Sequence, residues 1–201
     1  AWKATPPSMQ NSHRVLPWLQ PPLISTDNGL TGSVAEHLQK ILISACLLGE
    51  PVRYDGRSKK IENTIVAQWR EEGRLVVACP EVIGGLPVPR PAAEITGATA
   101  AEVLDGHGTV MTQAHDDVTN FFLRGAEHAL ALCQQHGISV AILKENSPSC
   151  GSSKIHDGSF SNSLVAGEGI TTALLRRHGI DVYSEHDIVT VAESLHTAGA
   201  L

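Results

Sequence analysis

Four short apolar runs divide this chain, and each is shorter than a helix needs to be. They are "ILISA" (41–45), "LVVA" (75–78), "ISVAIL" (138–143) and "IDVY" (180–183). The first three are nearly continuous apolar stretches, so each has the pattern of a strand buried on both faces, and the fourth reads as a further strand. Helical spacing fills the intervals. Ile61, Ile65, Val66 and Trp69 recur along 61–72 before Gly73, and Val118, Phe122, Ala126, Ala129 and Cys133 along 116–136 before Gly137. Two more helices are expected at about 169–178 and 187–196. Strands alternating with helices require right-handed crossovers. The fold class that follows is α/β, a short doubly wound parallel, Rossmann-like sheet with helices on both faces.

Three stretches fall outside that rhythm. Residues 1–40 carry five prolines in "AWKATPPSMQNSHRVLPWLQPPLISTDNG" and no sustained period, so they read as an irregular, surface-draped arm with a short helix at 33–40. Residues 41–201 form the α/β domain. "CPEVIGGLPVPRPAAEITG" (79–97) is too rich in proline and glycine for regular structure, and "EVLDGHGTVMT" (102–112) suggests a hairpin turning at Asp-Gly.

Composition narrows the functional classes. Fifteen basic against twenty-one acidic residues leave a net charge of −6, which disfavours a polyanionic partner such as a nucleic-acid duplex. No apolar run approaches a membrane span. No basic segment followed by an apolar core opens the chain, and four scattered cysteines do not form a disulfide framework. The expectation is a reduced, cytoplasmic protein.

Three of those cysteines occupy equivalent places. Cys46 follows the first strand, Cys79 the second, and Cys150 lies in the loop after the third, in "ENSPSCGSSKIHDGSFS" (145–161). In a parallel sheet those loops emerge at one carboxyl edge, where open α/β sheets bind ligands. Cys133 instead belongs to an apolar helix stripe and reads as a core residue. Converging thiols admit several readings. They can be buried and inert. A structural zinc site wants four ligands and often a CxxC pair, and a redox pair leaves the third thiol without a role. A [4Fe–4S] cluster held by three thiolates leaves one iron open.

The segments "SACLLGEPVRYDG" (44–56), "CPEVIGGLPVPRPAAEI" (79–95) and "ILKENSPSCGSSKIHDGSFS" (142–161) closely resemble the bacterial thiouracil desulfidase family over roughly residues 41–188. The resemblance implies a [4Fe–4S] cluster on Cys46, Cys79 and Cys150, and non-redox removal of sulfur from thiouracil to give uracil and hydrogen sulfide. The alternatives are the same chemistry on another thiolated nucleobase or thioamide, or a non-catalytic iron–sulfur sensor. The chain departs from the family at "KIHDG", where an aromatic such as tyrosine is expected in place of His156.

Thiocarbonyl sulfur is soft and suits thiolate-ligated iron. The substrate sulfur would bind the open iron and water would attack the carbon, with an acid/base group handling the proton. Glu81, fixed two residues beyond Cys79 by Pro80, is the expected base. Ser147 and Ser149 are expected catalytic hydrogen-bond donors, although Ser-Pro-Ser is also ordinary turn chemistry. Tyr54 and Asp55 are expected to stack on and bond a pyrimidine, unless Asp-Gly is merely a turn. Arg53 and Lys144 are expected to orient substrate, Lys144 alternatively pairing with Glu145. The expected partner is a small thiolated pyrimidine; the subunit is read as a monomer or homodimer. His136 and His178 each precede glycine and read as helix ends, where a cation suits the dipole. "AGEGITTA" (166–173) mimics a dinucleotide fingerprint but follows a loop and is misspaced, which excludes that site.

Overall fold

A computed structural model describes residues 38–198. The expected arm at 1–40, with its short helix at 33–40, lies outside the described residues except for 38–40. In chain order the elements are β1 (Ile41–Ser44), α1 (Thr64–Glu71), β2 (Leu75–Ala78), α2 (Pro80–Ile83), β3 (Ala93–Thr96), α3 (Ala100–Leu104), β4 (Thr109–Thr112), α4 (Thr119–His136), β5 (Val140–Leu143), β6 (Lys154–His156), β7 (Leu164–Ala166), α5 (Ile170–Arg177), β8 (Asp181–Ser184) and α6 (Ile188–Ala198). A short 3₁₀ turn, Ala45–Leu48, continues directly from β1. No helix among the described residues is long and apolar enough to cross a membrane.

The four apolar runs become one sheet in the order β2-β1-β5-β8, with every neighbouring pair parallel. Ile41, Ile43, Val140 and Ile142 pack with Val66 and Trp69 of α1 and Ile188 and Val191 of α6. Leu42, Ala141 and Leu143 point the other way, onto Ala129 and Cys133 of α4 and Leu175 of α5. β1 and β5 are buried at every position, which is why their runs show no alternation, whereas the edge strand β8 alternates exposed and buried residues. The doubly wound arrangement is therefore the one expected. The chain leaves β1 toward β2 on one side and later lays β5 on the other, so crossovers diverge between β1 and β5. That divergence opens a crevice at the carboxyl ends of the strands.

Helix ends follow local chemistry. Asn63 caps α1, its side-chain oxygen accepting from the backbone N–H groups of Ile65 and Val66 at 2.9 and 3.3 Å. His136 ends α4 before Gly137, which adopts φ 62°, and His178 closes α5 before Gly179 at φ 74°, as expected of the two His-Gly pairs.

Two expectations fail. The stretch 79–97 is not irregular throughout: Pro80 occupies the first turn of α2, where its missing N–H costs nothing, and Ala93–Thr96 is β3. Residues 102–112 are not a hairpin. Thr99 and Glu102 form a capping box for α3, and Asp105-Gly106 is the end of that helix; β4 pairs antiparallel with β3 instead. The ladder partner of β4 lies across a helix in sequence, so local turn chemistry pointed to the wrong pairing.

One close approach positions the loop after β2. A Cβ on Gly125 of α4 would stand 2.1 Å from the Pro80 carbonyl oxygen, and one on Gly84 would stand 2.0 Å from that of Phe121. Backbone meets backbone, so neither neighbour can yield by rotating a side chain. Gly125→Ala should therefore lower stability by about 1–3 kcal/mol through overpacking, although alanine is intrinsically the better helix former. Urea unfolding of this variant beside wild type checks the sign.

Candidate functional site

The carboxyl ends of three strands bring three thiols to one pocket. Cys46 sits in the 3₁₀ turn after β1, Cys79 caps α2 directly after β2, and Cys150 lies in the loop after β5. All three line a cavity of ≈ 380 Å³ and none is in a disulfide. Cys133 is absent from this lining and belongs to the core beneath α4 and α5, as its apolar stripe implied.

Backbone hydrogen bonds hold each thiol-bearing turn. The Cys46 carbonyl accepts from Lys59 N–H at 2.9 Å, folding the 50–60 loop back over the site. Cys150 is held from both sides. Its N–H donates to Ser147 Oγ at 3.2 Å, and its carbonyl accepts from Thr172 Oγ1 at 2.9 Å. The start of α5 docks on the same loop: Ile170 N–H donates to Pro148 O and Thr171 N–H to Ser149 O, at 2.9 and 2.8 Å. The orphan donors of a helix N-terminus thus find partners in the cysteine loop. Gly169 permits the approach, since a Cβ there would lie 2.3 Å from the Ser149 carbonyl carbon.

Burial pushes the thiols up, Cys46 to about 11 and Cys79 to about 12. Cys150 rises further, through burial first, then the neighbouring Cys79, Glu81 and Cys46. The three sulfurs therefore sense one another. Burial thus favours the protonated thiol at each of the three while the site is bare. Bound metal charge would deprotonate them. Cations already oppose the rise: Lys144 and Arg53 at Cys46, and Arg90 at Cys79. No group of three or more His, Cys, Asp or Glu side chains among the described residues is gathered to hold a single metal ion. Three sulfur donors lining one cavity suit a thiolate-loving group such as an iron–sulfur cluster.

Glu81 lines the same pocket from the first turn of α2. Arg90 forks onto its Oε2 through Nε and a terminal nitrogen, each at 2.8 Å, while Ser147 Oγ reaches Oε1 at 3.3 Å. The Arg90 side chain is only 3% exposed. Its remaining nitrogen donates to the Val52 and Pro87 carbonyls at 3.1 and 3.2 Å, and its N–H to the Tyr54 carbonyl at 2.9 Å. One guanidinium thereby ties the 50s loop, the 80s loop and Glu81 together.

The other expected residues separate into two groups. Tyr54, Arg53 and Lys144 line the pocket. Tyr54 is 44% exposed, with the Arg53 guanidinium 5.8 Å from its ring centroid. Asp55 and Ser149 do not line it. Asp55 instead closes a turn, accepting from Arg57 N–H at 3.0 Å and pairing with Arg57 Nε at 3.1 Å. Ser149 is fully buried and shares a 2.9 Å hydrogen bond with Thr171 Oγ1. Lys144 does not pair with the Glu145 carboxylate; its ammonium bonds Glu185 and the Glu145 carbonyl. The Glu145 carboxylate turns the other way, accepting from Ser152 N and Oγ, Ser153 N and Oγ, and Lys154 N. Burial raises this carboxyl, yet the hydrogen bonds outweigh it and hold it at about 2.

Residues 41–187 match the family described as 2-thiouracil desulfurase. The chain belongs to the 2-thiouracil desulfurase family. It is 42% identical over 151 residues to "Uncharacterized protein YbbK" of Bacillus subtilis (strain 168), covering 74% of this chain and 97% of that one. It is also 52% identical to a solved structure described as "[4Fe-4S]-dependent thiouracil desulfidase TudS", with a TM-score of 0.73, covering 79% of this chain and 99% of that one. The resemblance in the three quoted segments is borne out.

Within this 2-thiouracil desulfurase fold, sequence reasoning missed Arg90, Glu94 and Lys59, all of which line the pocket. Arg90 stood inside the quoted segment "PVPRPAA", and a lone cation among prolines beside a ligand-bearing loop was the available signal. Arg90→Met should strand Glu81 without its counter-charge and leave two carbonyls unpaired, costing about 3–5 kcal/mol as a broken buried pair. Arg90→Lys keeps the charge but not the fork, so it should fall between. Denaturant midpoints of the two variants rank them.

Proposed function

We propose that this chain is a desulfidase that replaces the sulfur of a thiolated uracil base with oxygen from water. The observation that carries the reading is one pocket lined by three unpaired thiols from three parallel strand ends, with an arginine-held carboxylate beside them. Membership of the 2-thiouracil desulfurase family and the [4Fe-4S]-dependent desulfidase to which the chain is similar support it.

Cys46, Cys79 and Cys150 would hold a [4Fe–4S] cluster. Bound there, a cluster with only three protein thiolates supplies an open iron for soft thiocarbonyl sulfur and draws electron density from the carbon–sulfur bond. The remaining tasks fall to side chains. Glu81 takes a proton from the attacking water and returns it to the departing sulfur, and the second water proton leaves the new hydroxyl as the carbon–sulfur bond breaks, so that uracil and hydrogen sulfide balance. Arg90 fixes Glu81 through Oε2, which leaves Oε1, beside Ser147, for the proton. Arg53, Lys144 and Arg90 offset negative charge around the thiolates. Tyr54 offers an exposed aromatic surface at the pocket for the flat base. Asp55 and Ser149 act indirectly, Asp55 through the turn that carries Tyr54 and Ser149 through the loop that carries Cys150. The net reaction exchanges sulfur for the oxygen of water, releases hydrogen sulfide and transfers no net electron.

After anaerobic iron–sulfur reconstitution, the protein should release sulfide and uracil from 2-thiouracil or 4-thiouracil. Cys150→Ala should lose both the cluster absorbance and the release. Glu81→Gln should retain iron while turnover falls on the order of 10²–10⁴-fold, the usual contribution of an acid/base group. Undiminished turnover by Glu81→Gln would remove Glu81 from the mechanism. No release from either base by cluster-loaded wild type would remove the desulfidase reading.

A further inference from the structure

The pocket has a second wall whose chemistry the proposed reaction does not use. The β6–β7 hairpin contributes His156 and Asn162 to it, and β3 contributes Glu94. His156 Nδ1 is shielded from solvent and has no hydrogen-bond partner. Glu94 Oε1 stands 3.9 Å from it, too long for a hydrogen bond. Glu94 is itself buried, only 6% exposed, and its other oxygen accepts from Phe160 N–H at 3.1 Å. The hairpin also presses backbone to backbone on β3, since a Cβ on Gly158 would stand 2.5 Å from the Ile95 carbonyl oxygen.

A shielded ring nitrogen facing a buried carboxylate, both without their best partner, is an arrangement that a ligand can complete. Hydrogen bonds at functional sites are often long before the ligand binds and tighten when it does. A carboxylate on one imidazole nitrogen fixes the proton there and leaves the other nitrogen as an acceptor. We propose that Glu94 and His156 form a recognition dyad, Glu94 holding His156 as its Nδ1–H tautomer so that Nε2 accepts a hydrogen bond from a ring N–H of the bound base. This rests on reading the pocket as a site for a uracil-type base. His156 contacts the substrate and Glu94 is a positioning residue. The dyad selects the lactam form of an unsubstituted ring, because a site built around an N–H rejects an analogue that lacks it.

The test is a cycle between side chain and ligand. Calorimetry measures binding of uracil, 1-methyluracil and 3-methyluracil to wild type, His156→Phe, His156→Gln and Glu94→Gln. Each protein is titrated as purified and again after anaerobic iron–sulfur reconstitution, with thermal melts verifying the fold. His156→Phe should weaken uracil about 10-fold, the scale of one hydrogen bond, and should not further weaken one of the two methylated bases. His156→Gln should recover part of the loss, since its amide retains an acceptor. Glu94→Gln should weaken uracil less than His156→Phe does, and its effect should vanish with the same methylated base. Equal uracil affinity in wild type and His156→Phe overturns the dyad, as does an undiminished His156 effect on both methylated bases or no uracil binding by wild type. His156-dependent uracil binding without sulfide release from thiouracil leaves the dyad standing and removes the desulfidase reading.

Discussion

Parallel pairing of β1 with β2 on one side and β5 on the other is the constraint from which the site follows. The register sets Ser44 opposite Ala78 and Ile43 opposite Ile142, so the strand ends come out at one level. Cys46 lies two residues beyond its strand and Cys79 one beyond its own, so the ladder nearly suffices to place them. Cys150 lies seven residues beyond β5 and needs other means. It is held by the five hydrogen bonds that converge on Glu145 and by the docking of α5 on the loop carbonyls. A buried carboxylate is unfavourable by itself, and the donors gathered on it convert that cost into a rigid loop.

Charge balance makes the second requirement. Three thiols in a buried chamber resist ionisation, and Glu81 beside them makes ionisation harder still. Lys144, Arg53 and Arg90 counter this from three different segments, one at the end of β5, one in the loop after β1, one ahead of β3. Arg90 has the double task of steadying Glu81 and approaching Cys79. Its near-complete burial is tolerable because every nitrogen has an acceptor. The cations thus serve the thiols as much as any ligand.

What could be read from the sequence divides along the range of the interactions. The centre of the sheet was legible because burial of β1 and β5 on both faces writes itself as uninterrupted apolar runs, and the convergence of Cys46, Cys79 and Cys150 followed from parallel topology. The capping box at Thr99 and Glu102 was local and readable, yet the Asp105-Gly106 turn signal overrode it. β3 was hidden because its partner lies beyond α3, and α2 because Pro80 suggested a break where it in fact begins a helix. Arg90, Glu145 and Ser149 act through contacts that only the folded chain creates. Asp55 shows the converse: a plain turn role, visible in "YDG", is what the structure gives it.

The two walls of the pocket differ in how tightly they are bound. On the sheet side, Cys150, Glu81 and Arg90 sit in networks with their hydrogen-bonding groups engaged, which suits groups that must keep their geometry through a reaction. On the hairpin side, β7 is exposed along its whole length, with Leu164 and Val165 each 44% accessible, and a ring nitrogen of His156 is left without a partner. The hairpin is nonetheless anchored, with Ile155 buried against β3, β4 and α4 and Gly158 close to the Ile95 carbonyl, so the slack is confined to its exposed edge. Change along that exposed edge leaves in place the contacts that hold the Cys150 loop. His156 lines the pocket from this hairpin, at the position where the family resemblance leads one to expect an aromatic.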